Sequence, residues 1–521
     1  MQKQLLTLVL ILHTGLPLGG QAQTPEPLGE PILLSEDYYT RVTGVRMLRV
    51  ANDEIMVVWT SRHEGGVNFL KERRLVADGT PLTEVRILAP QDDSGATEAG
   101  GGRILPTVDG AYAVAWHEWV EDSDSGVGQL TGFRGQWFTS GSQPMGEVFT
   151  LLPMRPAFVG VSPVLRSDAN IFLAWKEITL AERASLYFQS FRPTGEPLGL
   201  AVLMTDDADR RGTGHAVTVL QDGRMIFTWS QNGMIFIQRL RPDGSRQGSV
   251  IPVGSGVSPQ LLVRPGGFLI LWVDRPVGSP LQAGDLLAQQ FTASGAPEGP
   301  PIQVNRASPP DIGRGQVFAT PEGGFLVTWG AQTDREEDFI FAQRFNARDQ
   351  HIGDELVIRP PILDQHTHPQ TVSMAKNGEF VIAWELQEAY GNATYIYTQH
   401  YSLGPCRPTD TSTCLRGRRF AIEIDWTDFE GNTGQARPVP VTNDESGLFW
   451  FFNDDNWEML VKVLDGCEVN GHFWVFAATA STVGFTLRVR DLASGTVSEY
   501  HNPLGQAAEA IADVRAFAAC P

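Results

Sequence analysis

The sequence predicts an all-β chain: a seven-bladed β-propeller closed by an N-terminal strand, followed by a small disulfide-bonded β-sandwich domain. Three observations carry the prediction. A tryptophan ends a short apolar run seven times, at Trp59, Trp116, Trp175, Trp229, Trp272, Trp329 and Trp384. The spacings of 57, 59, 54, 43, 57 and 55 residues suit a repeat of four short strands. All four cysteines fall after the last repeat, where the composition turns to dense aromatic strands.

At the start of the chain, Lys3 precedes an apolar run from Leu5 to Leu12 and a small-residue site at Gly20-Gln21-Ala22. This order reads as an export signal over residues 1–22, with the mature chain starting near Gln23. The run is shorter than the ~20 residues that cross a bilayer, and no later segment is longer, so no membrane span is expected. The expected location is secreted or in the cell envelope: periplasm, outer surface or extracellular. The propeller is assigned to residues 23–404 and the sandwich to 405–521.

The repeated runs are EIMVVW, AYAVAW, NIFLAW, RMIFTW, GFLILW, GFLVTW and EFVIAW. Period-two alternation puts Phe325, Val327 and Trp329 on one face and Leu326 and Thr328 on the other. Both faces are largely apolar in every copy, as strands need when sheets stack face to face around an axis. Turns such as Asp222-Gly223, Gly266-Gly267 and Asn377-Gly378 lead into each run. A further strand follows: FRGQWF, LYFQSF, IFIQRL, LLAQQF, IFAQRF and IYTQHY. It places glutamine at Gln136, Gln189, Gln238, Gln289, Gln343 and Gln399, with Arg73 at that position in the first copy. An amide repeated there is expected to satisfy backbone groups between strands. The seventh repeat runs out at Gly404 before its fourth strand, and Glu30 to Ser35 reads as a strand with no blade of its own. The N-terminal strand is therefore expected to complete the last blade and to remove an exposed sheet edge.

After Cys406 come aromatic strands around Ile422, Phe449 and Val475, with turns at Gly431, Gly466 and Gly471. Short strands separated by turns suggest a sandwich. Four cysteines permit three pairings; Cys406–Cys414 and Cys467–Cys520 are favoured, in keeping with an exported protein. The strings RFAIEIDWTDFEGNTGQARPVPVTNDESGLFWFF, NWEMLVKVLDGCEVNGHFWVF and LRVRDLASGTVSEYHNP resemble a domain that recurs at the C-termini of exported proteins of Acidobacteria and relatives. The repeats, of the form G-φ-φ-V-x-W then φ-x-x-Q-x-F, resemble those of uncharacterised exported bacterial β-propeller proteins. The resemblance implies export, and it transfers no activity to any residue.

A net charge of −20 argues against nucleic acid or an anionic membrane as partner. The stretches after each tryptophan, 117–128, 176–184, 273–285, 330–338 and 385–393, read as variable loops gathered at one end of the propeller, where binding concentrates. Ligand-binding candidates there are Glu121, Asp122, Asp124, Asp334, Glu336 and Glu385. The clusters around Asp122 and Asp334, the second with Glu337 and Asp338, offer oxygen ligands to Ca²⁺, but no copy has the D-x-D-x-D-G spacing, and a solvated acidic loop is the plainer reading. His366 and His368 open the last repeat, where alternating imidazoles suit a transition metal and a surface loop is the plainer reading. No resident metal or other cofactor is expected. The G-x-S-x-G elbow, H-E-x-x-H, the phosphate loop and the sialidase repeat S-x-D-x-G-x-x-W are all missing. The expectation is a non-catalytic exported protein whose loop face meets a glycan, peptide or protein. The alternative is a secreted polysaccharide hydrolase or lyase using Asp122, Asp334 or Glu385 as acid and base.

Overall fold

A computed structural model describes residues 26–521 except 36–40, 51–52, 63–67, 89–96, 108, 122–127, 154–157, 179–183, 209–213, 275–283, 307–310, 314, 321–322, 333–337, 360–364, 376–378, 389–393, 403–405, 407, 417, 440–444, 493, 519 and 521. The expected leader, residues 1–22, lies outside the described residues. The protein is all-β, built from antiparallel sheets of four or five strands, and among the described residues it has one short helix, at Cys467–Asn470.

Each tryptophan run is the second strand of one sheet. The first sheet joins Arg41–Arg49, Ile55–Arg62, Asn68–Leu75 and Arg86–Ile87, and six more sheets follow in chain order up to Thr394–Ser402. The two-faced apolar pattern has the expected result: every residue from Ile55 to Trp59 is at most 1% exposed, and the other six runs are similarly buried. Trp175, Trp229, Trp329 and Trp384 stack on the aromatic residue opposite in the third strand, with ring centroids 5.6–6.0 Å apart. Cross-strand aromatic pairs of this kind stiffen a sheet beyond the area they bury.

Apolar clusters join each sheet to the next, from first to second through sixth to seventh. One more cluster unites Ile55, Val57, Trp59 and Leu75 of the first sheet with Val381, Ala383 and Ile396 of the seventh, and Leu34 packs within it. On the third strand of the seventh sheet, Glu26–Pro27 pairs with Ser402 and Tyr401, and Ile32–Leu33 pairs with Thr398 and Tyr397.

The glutamine ladder has one structural task. Nε2 of Gln136, Gln189, Gln238 and Gln289 donates to the carbonyl ten residues on, at Gly146, Gly199, Gly248 and Gly299, over 2.7–3.2 Å. Those glycines have φ between 71° and 100° and sit in fourth strands or the stretches leading into them. A left-handed kink turns a carbonyl out of the ladder, and the amide satisfies it. Gln343 does the same for Ile352 at 3.1 Å. Gln399 reaches instead to Gly29, φ 143°, at 2.8 Å, in the N-terminal segment. Arg73 explains itself in the same terms. Its Nε donates to Thr83 O, again ten residues on, at 2.8 Å, and the longer side chain also sends Nη1 to Leu34 O at 3.1 Å.

The last hundred or so residues form two sheets packed face to face. One contains Ser412–Leu415, Phe420–Thr427, Gly484–Asp491 and Val497–Asn502, with Thr433–Gln435 pairing on the second of these. The other contains Arg437–Pro438, Ser446–Trp450, Met459–Gly466, His472–Thr479 and Ile511–Phe517. Phe420, Ile422, Leu487 and Val489 meet Phe449, Val461, Val463 and Val475 in a shared core. The disulfides are Cys406–Cys414 and Cys467–Cys520. The second closes a loop of 53 residues, worth about 4 kcal/mol on the chain-entropy account. The Arg418 guanidinium pairs with Glu379 of the seventh sheet, tying the two parts of the chain together. Among the described residues no helix is long and apolar enough to cross a membrane.

Candidate functional site

The second strands do not stop at tryptophan. Tyr112–Glu121, Ile171–Ile178 and Glu379–Glu388 run on past Trp116, Trp175 and Trp384, so His117, Lys176 and Glu385 are strand residues rather than loop residues. Lys176 is 1% exposed and Glu385 8% exposed. Polar side chains after an apolar run suggested a loop; here Lys176 and Glu385 are buried, and at Thr60 and Glu385 the neighbouring sheet supplies partners.

Those partners are backbone bulges. The first strand of a sheet breaks register opposite the tryptophan, between Thr43 and Arg46 in the first sheet and between Gly100 and Arg103 in the second. Left-handed residues mark the bulges, with φ of 72° at Gly44, 65° at Gly101, 61° at Gly160 and 57° at Ser258. A bulge leaves an amide outside the ladder. The residue after tryptophan in the preceding sheet takes it: Thr60 Oγ1 accepts from Gly101 N at 2.8 Å, and Glu385 Oε1 accepts from Val45 N at 3.4 Å. By alternation Glu385 shares the face of Val381 and Ala383, which is packed on the first sheet. Burial lowers the pKa of Arg46, and the Glu385 carboxylate opposes that shift by favouring the charged guanidinium. Glu385 is therefore a strand residue at the seam between the seventh and first sheets, where the sequence suggested a loop. A polar residue directly after five of the seven tryptophans, at Thr60, His117, Lys176, Ser230 and Glu385, is the signal in the sequence.

His117 also follows a tryptophan, in the second sheet, and packs within that sheet. Its ring meets Phe133 edge-on at 5.0 Å, and a Cβ on Gly101 would stand 3.0 Å from its Cδ2. Desolvation, with Arg103 adding like-charge repulsion, holds its pKa down to about 3. The unfolded imidazole titrates near 6.5, so in acid the unfolded chain takes up the proton first. The stabilisation is thus complete above about pH 6.5 and is lost as pH falls toward 3. By pH 4.5 the wild-type protein should lose about 2 kcal/mol more stability than His117→Gln, measured from urea unfolding at each pH. Parallel pH curves for the two proteins would show that the imidazole is not held neutral by its surroundings.

Glu121 ends its strand opposite Gly128. Asp122, Asp124, Asp334, Glu336 and Glu337 lie outside the described residues. His366 and His368 belong to the strand Gln365–Met374, which corrects their reading as a surface loop. In that register His368 stands opposite Glu385 and His366 opposite Gln387. Among the described residues no three His, Cys, Asp or Glu side chains gather in a group able to hold a metal ion.

Between second and third strands, the described strand ends leave connections of very different length. Asp274 to Asp285 spans ten intervening residues, Glu121 to Gly128 six, and Gln231 to Met234 two. The two-residue case is Asn232-Gly233 with φ of 53° and 71°, a turn that fits hairpin twist.

No protein-family model matches the chain, and no curated protein does. Among solved structures, a protein of unknown function from Dyadobacter fermentans has TM-score 0.45 and 11% identity over 72% of this chain and 98% of that one. Trypanosoma rangeli sialidase has TM-score 0.40 and 9% identity over 95% and 91%. A putative 6-phosphogluconolactonase from Bacteroides fragilis has TM-score 0.38 and 12% identity over 65% and 91%. Likenesses at this level say nothing of the chemistry of this chain.

Proposed function

We propose that this chain is an exported binding protein, a closed ring of seven blades that presents its loop end to a glycan, peptide or protein and carries a disulfide-bonded sandwich behind it. Closure is supported by the apolar seam between first and seventh sheets, by Gln399 bonding Gly29 and by Arg73 bonding Leu34. The observation that carries the binding role is the contrast between uniform strands and connections that vary from two to ten residues at one end of them. A rigid scaffold with variable loops is the arrangement on which recognition is built. The hydrolase reading loses Glu385, whose carboxylate is engaged in a seam. Net acidity of −20 turns the reading away from nucleic acid.

The mature protein should bind on a glycan and peptide array without releasing products from polysaccharide substrates. Replacing residues 275–284 by Asn-Gly, the turn of the fourth sheet, should abolish that binding while the fold persists. Release of reducing ends from any polysaccharide would replace this reading with the hydrolase, and binding unaffected by the exchange would remove this loop from the contact surface.

A further inference from the structure

Strand register lines up three polar side chains on the outer face of the sandwich. Asp425 stands opposite Thr486, and Thr486 opposite His501. They alternate with inward residues such as Ile424, Phe485 and Leu487, so their side chains share the outer surface. With Thr427, Gly484 and Leu504 they line an open cavity of about 250 Å³. Gly484 keeps it open: a Cβ there would stand 3.3–3.5 Å from atoms of Leu504.

The chemistry of the lining is polar. Asp425 pairs with Arg488 and accepts from Gln435 Nε2 at 3.3 Å, and Arg488 also pairs with Glu499 at 2.8 Å, so one guanidinium serves two carboxylates and the group is net negative. Thr486 Oγ1 lies 3.2 Å from His501 Nδ1. At the rim Leu504 is 42% exposed and Phe429 65% exposed. The edge of the Phe429 ring lies 3.8 Å from where a Cβ on Gly505 would be, one residue beyond Leu504. Phe429 sits on a braced turn, since Asp428 accepts from Glu430 N at 2.9 Å and from Asn432 N at 2.8 Å. Phe429 and Leu504 thus bring exposed apolar side chains close to a polar cavity.

We propose that this cavity binds one unit of a neutral oligosaccharide, at a site separate from the loop face of the seven sheets. A sugar ring has hydroxyls around its edge and an apolar C–H face. The hydroxyls suit Thr427, Thr486 and His501, and the C–H face suits Phe429. The excess of carboxylate over guanidinium around Asp425 repels an anion. The volume lies below the roughly 300–1,000 Å³ of sites for larger ligands, which fits one sugar unit.

The test uses the full mature chain in calorimetric titrations with cellohexaose, xylohexaose, mannohexaose and the anionic hexamer of galacturonic acid. At least one neutral hexamer should bind, and the anionic one should not. Thr486→Val and Phe429→Ala should each weaken the binding about tenfold with unchanged melting temperature, and replacing residues 275–284 should leave it intact. Absence of binding to all three neutral hexamers, preference for the anionic one, or binding that survives both substitutions would overturn the proposal. Loss through the 275–284 exchange alone would move the sugar to the loop face, which also overturns it.

Discussion

A chain shortened to begin at Tyr38 should unfold at a temperature lower by roughly 5–10 °C than one beginning at Gln23, and should aggregate more readily. The missing residues include Leu34, which is fully buried in the seam between first and seventh sheets. Burial of such a side chain is worth about 1.5–3 kcal/mol. Four hydrogen bonds go with it: Leu28 N to His400 O, Leu34 N to Ile396 O, Ile396 N to Ser35 Oγ, and Gln399 Nε2 to Gly29 O. Each contributes about 0.5–1.5 kcal/mol. Arg73 also loses its second acceptor. The sum is around 5 kcal/mol, and for a unit of this size each kcal/mol moves the midpoint by somewhat under 2 °C. The exposed third strand of the seventh sheet would then offer a free edge to other chains. Equal melting temperatures for the two chains would show that residues 26–35 do not close the structure.

Glu385→Ala should cost on the order of 3 kcal/mol, read as a lower urea midpoint at neutral pH. The carboxylate accepts from Val45 N and favours the charged form of the desolvated Arg46 guanidinium across the same seam. Removing one partner of a buried pair leaves the other charged and poorly solvated, which costs more than the pair itself gains. Glu385→Gln keeps a hydrogen-bond acceptor and should fall between wild type and Glu385→Ala. Replacing both residues, as Glu385→Leu with Arg46→Met, should recover part of the loss. A Glu385→Ala protein within about 0.5 kcal/mol of wild type, the range of ordinary surface changes, would show that the carboxylate does not brace the seam.

Strands, their order and their two buried faces were legible because apolar periodicity is local. Seven copies of it around tryptophan left little freedom, and the glutamine at a fixed place in the third strand was readable as a partner for backbone. The disulfides were legible from the confinement of Cys406, Cys414, Cys467 and Cys520 to one segment. Less was legible about where strands end. His117, Lys176 and Glu385 look like loop residues because a polar group ends the apolar run; the partner of Glu385 lies in another sheet, where no local pattern reveals it. Arg73 stood out only as an exception until Leu34 was seen beside it. The cavity on the sandwich had no linear signal at all, since Asp425, Thr486 and His501 become neighbours through strand register alone.

The pairing of the N-terminal segment has a consequence for the order of events as the chain is made. Gly29 and Ser35 find their partners 370 and 361 residues later. At the usual pace of about 5–20 residues per second, synthesis leaves those first residues waiting some 20–70 s for the strand that receives them. Contacts this distant in sequence are slow to form because so much chain must be ordered to reach them. Sheets in the middle can assemble on their neighbours as they emerge, whereas the seventh stays one strand short until the two ends meet. The interval before that meeting is when the protein is most exposed to association with other chains, and its length is set by the distance along the chain between residues 26–35 and 394–402.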